Sequence, residues 1–219
     1  METKQTIAIF GATGNMGSAI AKSVAKGAYR LLLISNDIEK LKTLQSNISA
    51  NAPTTPEIMQ SLNDTDSKPD IIILAVPYAA EAEIAPAIRQ LAAGKTVISI
   101  ANPINKNLTG LVTAPDSSAA EDLQKLLPDS KVVKAFNTTF AGDFAQPVID
   151  GKQVDAFIAG NDEPSVKTVA ELVKTAGFNP IIAGDLPVSR TLENMQLLLM
   201  QLGLKYNYNW LAGWKILHK

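Results

Sequence analysis

The first stretch of the chain that could do chemistry is a run of small residues with three glycines, Gly11-Ala12-Thr13-Gly14-Asn15-Met16-Gly17. A bound pyrophosphate needs close approach to the backbone, N–H donors and the positive end of a helix dipole. A glycine-rich turn between a strand and a helix supplies all three. In the usual G-x-G-x-x-G register, Gly14 and Gly17 hold the second and third positions while Ala12 holds the first. This variant fingerprint predicts a dinucleotide-phosphate site, and the alternative is a turn that binds nothing.

Polar residues end the second predicted strand, where a dinucleotide-binding protein contacts the adenosine ribose. Ser35, Asn36 and Asp37 come first, and Lys40 follows one helical turn later. A carboxylate here accepts hydrogen bonds from both ribose hydroxyls and repels a 2′-phosphate. Neutral residues and a lysine therefore favour NADP, with NAD as the alternative if Asp37 faces the pocket. Asp37 and Ser35 are also explained as caps of the following helix.

Three later strands are predicted to end in residues that suit a nicotinamide ring. These residue pairs are Val76-Pro77, Asn102-Pro103 and Asn137-Thr138. Proline stiffens a turn, and an asparagine amide can pair with a carboxamide. Ligands of open α/β sheets lie beyond the carboxyl ends of the strands, so these positions are predicted to border the nicotinamide. The alternative is that turn geometry alone selected them.

Buried strands and amphipathic helices alternate around these residues. Apolar runs predict strands over residues 6–10, 31–34, 71–76, 96–100 and 132–136, with short ones at 156–159 and 180–183. Helical periodicity falls between them, and Met16, Ile20 and Val24 recur at i, i+4 and i+8 in the first such segment. The pattern predicts an α/β fold of Rossmann type, doubly wound around a mostly parallel sheet.

The pattern changes after residue 186. Apolar residues from Leu192 to Leu202 recur at helical spacing, and Trp210, Trp214 and Leu217 predict a second, shorter helix. We therefore divide the chain into an NAD(P)-binding Rossmann domain over residues 1–186 and a helical C-terminal segment over residues 187–219. This segment is predicted to contribute to the acceptor cleft or to a dimer contact. Its aromatic residues have three possible roles, namely cleft cover, subunit contact and ordinary core.

Composition excludes several classes of function. The 219 residues carry 20 Lys and Arg against 21 Asp and Glu, so no positive field draws the chain to a nucleic acid. The sequence has no cysteine, which excludes disulfides and thiolate ligands, and no metal site is predicted. Apolar runs are short of the ~20 residues that span a membrane. We expect a soluble, cytoplasmic protein that does not bind membranes.

Four stretches of the chain resemble the NADPH-dependent deazaflavin (coenzyme F420) reductases, which are related to the reductase domain of the six-transmembrane ferric reductases. In order along nearly the full length they are residues 9–17 (IFGATGNMG), 70–77 (DIIILAVP), 131–138 (KVVKAFNT) and 183–190 (AGDLPVSR). The resemblance implies the Rossmann fold, NADP as cofactor, a small-molecule hydride acceptor and a homodimer.

The resemblance also implies roles for individual residues. It places the pyrophosphate at Thr13, Gly14, Asn15 and Met16, the 2′-phosphate at Ser35, Asn36 and Lys40, and the nicotinamide side at Val76, Asn102 and Ala141. The family often has arginine where this chain has Asn36, which leaves NAD as the alternative cofactor. The aromatic C-terminus also departs from the small residues expected there.

Hydride transfer between a nicotinamide and a flavin-like ring requires two rings stacked about 3–3.5 Å apart and little else. No catalytic acid or base is assigned, which agrees with a chain whose one histidine, His218, is penultimate and which has no Tyr-x-x-x-Lys pair. The acceptor is predicted to be a flavin or deazaflavin, or a metal chelate reduced through a flavin. The alternative is a catalytically silent NAD(P) sensor.

Arg190 and Asn194 are candidates for the far wall of the acceptor cleft. The alternative is that they form a simple pair on the helix surface.

Overall fold

The computed structural model of the protein describes residues 5–61 and 68–218. Its first half alternates strands with helices: β1 (Thr6–Phe10), α1 (Asn15–Val24), β2 (Arg30–Ile34), α2 (Ile38–Ser49), β3 (Glu57–Met59), β4 (Ile71–Leu74), α3 (Tyr78–Ala92) and β5 (Thr96–Ser99). The second half continues with α4 (Ala119–Leu126), β6 (Lys131–Lys134), β7 (Val148–Ile149), β8 (Lys152–Gln153), β9 (Asp155–Gly160), α5 (Glu163–Thr175), β10 (Asn179–Gly184) and α6 (Ser189–Tyr206). Single 3-10 turns lie at Ala141–Phe144 and Leu186–Val188.

Eight strands form one sheet in the order β10-β9-β6-β5-β4-β1-β2-β3. The six strands from β3 to β6 are parallel. β9 runs antiparallel to β6, and β10 is parallel to β9. The order from β3 to β6 is that of a doubly wound dinucleotide-binding sheet, so the predicted Rossmann-type, mostly parallel fold is confirmed.

Strand register brings the predicted site residues to one edge of the sheet. Phe10 is paired with Leu74, Leu74 with Ser99, and Ser99 with Lys134. These four residues are the last of β1, β4, β5 and β6, and the central strands are buried on both faces. The glycine turn, Val76, Asn102 and Asn137 therefore follow strands that end in line.

Several predicted boundaries need correction. The strands predicted to end at 76, 100 and 136 end at Leu74, Ser99 and Lys134, because the residues that follow leave the sheet to form loops. Strands β3, β7 and β8 were missed because each has only two or three residues. Polar residues and a proline predict a surface loop at 65–69, and much of it lies outside the described residues.

The second C-terminal helix is a wrong prediction. After α6, Asn207, Asn209 and Trp210 adopt left-handed backbone angles that stop a helix. The chain then runs extended along β9, where Trp214 O accepts a hydrogen bond from Asp155 N at 2.9 Å. Ile216 N donates to the Asp155 carboxylate at 2.6 Å. Pairing with a sheet edge satisfies this backbone in place of helical bonds.

None of the helices formed by residues 5–61 and 68–218 has the length and apolar character that crossing a membrane requires.

Candidate functional site

The glycine turn is held by backbone packing that only glycine allows at two positions. Gly11 has a φ of +71°, and a Cβ there would lie 2.3 Å from Ala75 O. A Cβ on Gly17 would lie 2.1 Å from Gly11 O, so helix α1 can pack against the turn only through a bare backbone. Gly14 precedes the first residue of α1 and has no side chain to cap it. The first N–H groups of the helix are left for another acceptor.

Side-chain hydroxyls tie the turn to the end of β2. Thr13 Oγ1 and Ser35 Oγ are 2.6 Å apart, and Ser35 Oγ also accepts from Asp37 N at 3.3 Å. Asp37 caps α2 by accepting from Lys40 N at 3.1 Å, which confirms the capping interpretation for Asp37. Lys40 Nζ forms an exposed ion pair with Asp37 at 2.8 Å, and this contact lowers the pKa of the Asp37 carboxyl.

A cavity of about 530 Å³ opens between the ends of β1, β2 and β4 and the face of α3. We call it the Ser35 cavity. It combines apolar walls with a polar rim, and its lining residues are Phe10, Gly11, Ile34, Ser35, Asn36, Asp37, Gln60, Ser61, Val76, Ala80, Glu83, Ile84, Ala87 and Ile88. Such a pocket suits a flat apolar ring attached to a polar sugar.

A second cavity, of about 380 Å³, opens on the other side of the turn, and we call it the Asn102 cavity. Its walls come from the start of α1, the loops after β5 and β6, and α6. The lining residues are Asn15, Met16, Ile100, Asn102, Phe136, Asn137, Thr139, Phe140, Ala141, Gly142, Gln196, Met200 and Trp210. The turn thus contributes Gly11 to one cavity and Asn15 and Met16 to the other.

Two asparagines clamp the strand ends beneath the Asn102 cavity. Asn102 Nδ2 donates to Asn137 O at 2.8 Å, and Asn137 Nδ2 donates to Asn102 Oδ1 at 3.0 Å. Phe136, immediately before, has a φ of 59°, which is costly for an aromatic residue and is retained only where the surroundings enforce it. The clamp and the strained residue fix the floor of the cavity.

Two buried oxygen acceptors at this cavity have no hydrogen-bond partner among the residues that the structure describes. They are Asn137 Oδ1 and Gln196 Oε1, on side chains only 1% and 4% exposed. A buried acceptor without a partner is costly, and a ligand that donates hydrogen bonds removes that cost. Both oxygens have almost no accessible surface, so a ligand in the cavity reaches them only if these side chains move.

Buried charges hold α6 against the sheet behind the cavity. Lys134 Nζ and Glu193 Oε1 are 2.6 Å apart, and both side chains are completely buried. Lys134 Nζ also donates to Ala101 O, and Glu193 accepts from Ala119 N at 3.0 Å. Burial raises the pKa of Glu193. This network joins β6, the loop that carries Asn102, the start of α4 and α6.

A further buried carboxyl, Glu81 on α3, lies next to this network. Its Oε1 accepts from Ser99 Oγ at 2.8 Å, and Lys134 and Glu193 both act on it electrostatically. Burial raises the pKa of Glu81 to about 7, against an ordinary value of 4.5. The carboxyl therefore changes its charge close to neutral pH.

The structure gathers most of the predicted site residues around the two cavities. Gly11, Ser35, Asn36 and Val76 line the Ser35 cavity. Val76 was expected on the nicotinamide side, but it follows β4 beside Gly11 and faces the other cavity. The predicted residues at the second cavity are Asn15, Met16, Asn102, Asn137 and Ala141.

The remaining predicted residues do not line either cavity. Ala12 and Gly17 are buried beneath the turn, and Thr13 and Gly14 form its top. Pro77 precedes the first residue of α3. The side chain of Lys40 is 70% exposed beside Asp37.

Arg190 and Asn194, the candidates for the far wall of the acceptor cleft, line neither the Ser35 cavity nor the Asn102 cavity. Arg190 forms a forked ion pair with Glu121, with a shortest N–O distance of 2.5 Å, and Asn194 Nδ2 donates to Arg190 O. The residues of α6 that line the cavity are Gln196 and Met200. Sequence reasoning missed both, although their i, i+4 spacing beside the apolar face of α6 is a usable signal.

The aromatic residues of the C-terminus lie in different surroundings. Trp210 lines the Asn102 cavity and packs edge-on against Phe140 with ring centroids 5.4 Å apart. Trp214 is partly buried against the apolar cluster of β9 and α6. Tyr206 and Tyr208 stack on each other and remain exposed at 55% and 40%. Trp210 therefore covers the cleft, and Trp214 belongs to the core.

A Rossmann sheet with a glycine turn between two cavities defines a dinucleotide-binding protein. Comparison with known proteins identifies its family. Residues 6–103 match the family model described as NADP oxidoreductase, coenzyme F420-dependent. The F420-dependent NADP reductase of Methanocaldococcus jannaschii is 31% identical over 91% of this chain and 93% of its own length. The chain belongs to the family of F420-dependent NADP reductases and is an NAD(P)-dependent oxidoreductase.

Further comparisons agree with this family. A crystal structure titled as a putative F420-dependent NADP reductase from Arthrobacter sp. FB24 superposes with a TM-score of 0.80. It is 25% identical and covers 97% of this chain and 99% of its own. The metalloreductase STEAP3 of Rattus norvegicus is 31% identical over 61% of this chain but only 26% of its own length. The relatives named here are reductases, so the hypothesis of a silent sensor finds no support.

Proposed function

We propose that the protein transfers a hydride between NADPH and coenzyme F420. The observation that carries the proposal is the Asn102 cavity, which adjoins the start of α1 and combines apolar walls with the amide side chains of Asn102, Asn137 and Gln196. Its full-length relatives are named F420-dependent NADP reductases. F420 carries a deazaflavin ring, which is planar and has an N–H group on its pyrimidine edge.

The dinucleotide is proposed to lie across the glycine turn. Thr13, Gly14, Asn15 and Met16 hold the pyrophosphate at the start of α1, where the helix dipole is positive. The adenosine half then occupies the Ser35 cavity, with Ser35 and Asn36 at its ribose. Lys40 meets the 2′-phosphate by leaving Asp37, its partner on the exposed surface.

The nicotinamide and the acceptor ring are proposed to stack in the Asn102 cavity. Asn102, Asn137 and Ala141 border the nicotinamide, while Gln196 and Trp210 on the C-terminal segment border the acceptor. This chain's residues bind and orient the two rings and exclude water, so catalysis comes from positioning. The C-terminal segment over 187–219 acts as the acceptor wall of the Rossmann domain.

The test is NADPH oxidation with a panel of acceptors. We expect turnover with F420 and much slower turnover with FMN or ferric citrate, and NADPH should be preferred to NADH. Gly14→Val is the control, because its methyl groups would fill the pyrophosphate space while the fold, followed by circular dichroism, stays intact. Turnover with FMN or ferric citrate at the rate of F420 would contradict the proposed acceptor.

The homodimer remains a prediction, which sedimentation analysis of the full chain would test. The cytoplasmic location remains a prediction as well.

A further inference from the structure

A third cavity, of about 450 Å³, runs along one face of α1 beside the Asn102 cavity. We call it the Lys22 groove. Helix α1 supplies one wall, and the 3-10 turn after β6 supplies the other. The lining residues are Asn15, Ser18, Ala19, Lys22, Ser23, Lys26, Ala141, Gly142, Phe144 and Ala145.

The Lys22 groove continues the Asn102 cavity. The two share Asn15, Ala141 and Gly142 as wall residues. A ligand whose ring lies in the Asn102 cavity can therefore extend a flexible side chain past Asn15 into the groove. Because Lys22 and Lys26 are spaced i, i+4, they lie on the same face of α1, about 6 Å apart at their Cβ atoms.

The charged residues that line the groove, Lys22 and Lys26, are both positive. Within residues 5–61 and 68–218, Lys22 and Lys26 form no ion pair, and the lining set contains no carboxylate. Asp143 lies between two lining residues, but it is fully buried and accepts from Phe140 N at 2.7 Å. Lys125, Lys131, Lys167 and Lys174, by contrast, each pair with a carboxylate. Two adjacent ammonium groups without a counter-ion attract an anion.

We propose that the Lys22 groove binds the anionic side chain of the hydride acceptor. This inference rests on the proposed function and adds a second subsite to it. Coenzyme F420 carries on its ring a ribityl chain extended by a phosphodiester and carboxylates, whereas the ring compound with the ribityl chain alone is uncharged there. Lys22 and Lys26 contact the phosphodiester or a carboxylate and so distinguish the tailed acceptor from the bare ring.

The experiment compares F420 with its tail-free ring compound under steady-state conditions at saturating NADPH. The variant is Lys22→Ala/Lys26→Ala in the full chain. The matched control is Lys95→Ala/Lys152→Ala, which removes the same charge from lysines that line none of the three cavities. We expect the test variant to raise the KM for F420 about ten-fold, as two exposed charge-assisted contacts would.

The KM for the tail-free compound and the Kd for NADPH should stay within two-fold. The KM for F420 should also rise with salt in the wild type and less steeply in the variant. An unchanged KM for F420, or equal increases for both acceptors, would overturn the tail site and leave the proposed function standing. A loss of NADPH affinity instead would assign the lysines to the dinucleotide phosphates. A wild-type protein that turns over neither acceptor contradicts both proposals.

Discussion

The Ser35 cavity and the Asn102 cavity are built by different kinds of interaction. The first depends on backbone in close contact: Gly11 packs on Ala75 at the end of the adjacent strand, Gly17 packs on Gly11, and Asp37 caps the helix that follows it. The second depends on contacts between residues far apart in the chain, of which the Lys134–Glu193 ion pair and the Asn102–Asn137 clamp are the clearest. The Ser35 cavity therefore depends on close packing of backbone, and the Asn102 cavity depends on buried polar contacts between side chains.

The largest effect is expected from Lys134→Met. Removing one partner of a fully buried ion pair leaves Glu193 without compensation, so the free energy of unfolding should fall by about 3–5 kcal/mol. Equilibrium unfolding in urea measures this change in the free energy of unfolding. Lys131→Met on the same strand removes an exposed pair with Asp162 and should cost under about 1 kcal/mol. Adding Glu193→Gln to Lys134→Met should recover part of the loss, and equal effects of the two single variants would contradict a special role for the buried pair.

A pair of glycine substitutions contrasts the two regions. Gly17→Ala should destabilise by about 3 kcal/mol, because its Cβ meets Gly11 O and neither backbone can move freely. Gly203→Ala in α6 has no atom within 4 Å of the added Cβ and should stabilise by about 0.5–1 kcal/mol. Thermal unfolding of both variants decides the point. A Gly17→Ala protein as stable as the wild type would show that the turn is not closely packed.

Glu81→Gln should stabilise the protein in a pH-dependent way. Since the folded pKa of about 7 lies above the ordinary value of 4.5, the folded state holds a proton that the unfolded state loses between these values. The free energy of unfolding therefore falls as pH rises from 4.5 to 7, and above pH 7 the protein bears the full destabilisation from the ionised Glu81 carboxylate. The variant should gain about 2 kcal/mol at pH 8 and much less at pH 5. Glu83→Gln, exposed on the same helix, is the control, and a gain independent of pH would refute the assignment.

Sequence patterns identified part of each cavity, namely four lining residues of the Ser35 cavity and five of the Asn102 cavity. A glycine turn, a helix cap and a buried strand are each encoded by consecutive residues. The turn from Gly11 to Gly17 and the cap at Asp37 could therefore be predicted from residue spacing alone. Gln196 joins the Asn102 cavity only after α6 folds back over β6, and its i, i+4 spacing to Met200 indicates a shared helix face without indicating which cavity that face lines. The extended tail around Trp214 was missed because its hydrogen bonds go to Asp155, which is 59 positions away.

The smallest effect is expected from Trp210→Ala. Its ring is half exposed and covers one side of the Asn102 cavity, so its loss should raise the acceptor KM by a factor that corresponds to about 1 kcal/mol. The Kd for NADPH should change less than two-fold. Tyr208→Ala is the matched control, because Tyr208 is similarly exposed but stacks on Tyr206 away from the cavity. Equal KM values for the two variants would remove Trp210 from the acceptor wall.

The proposed reaction is direct hydride transfer between two rings held in the Asn102 cavity. It is tested by incubating the enzyme with F420 and NADPH labelled with deuterium at one or the other face of nicotinamide C4. Mass spectrometry then locates the label. We expect that one labelled form delivers deuterium to a carbon of the reduced deazaflavin, and that the other retains it on NADP. Reduced F420 without deuterium from either form, or with deuterium from both, would contradict it.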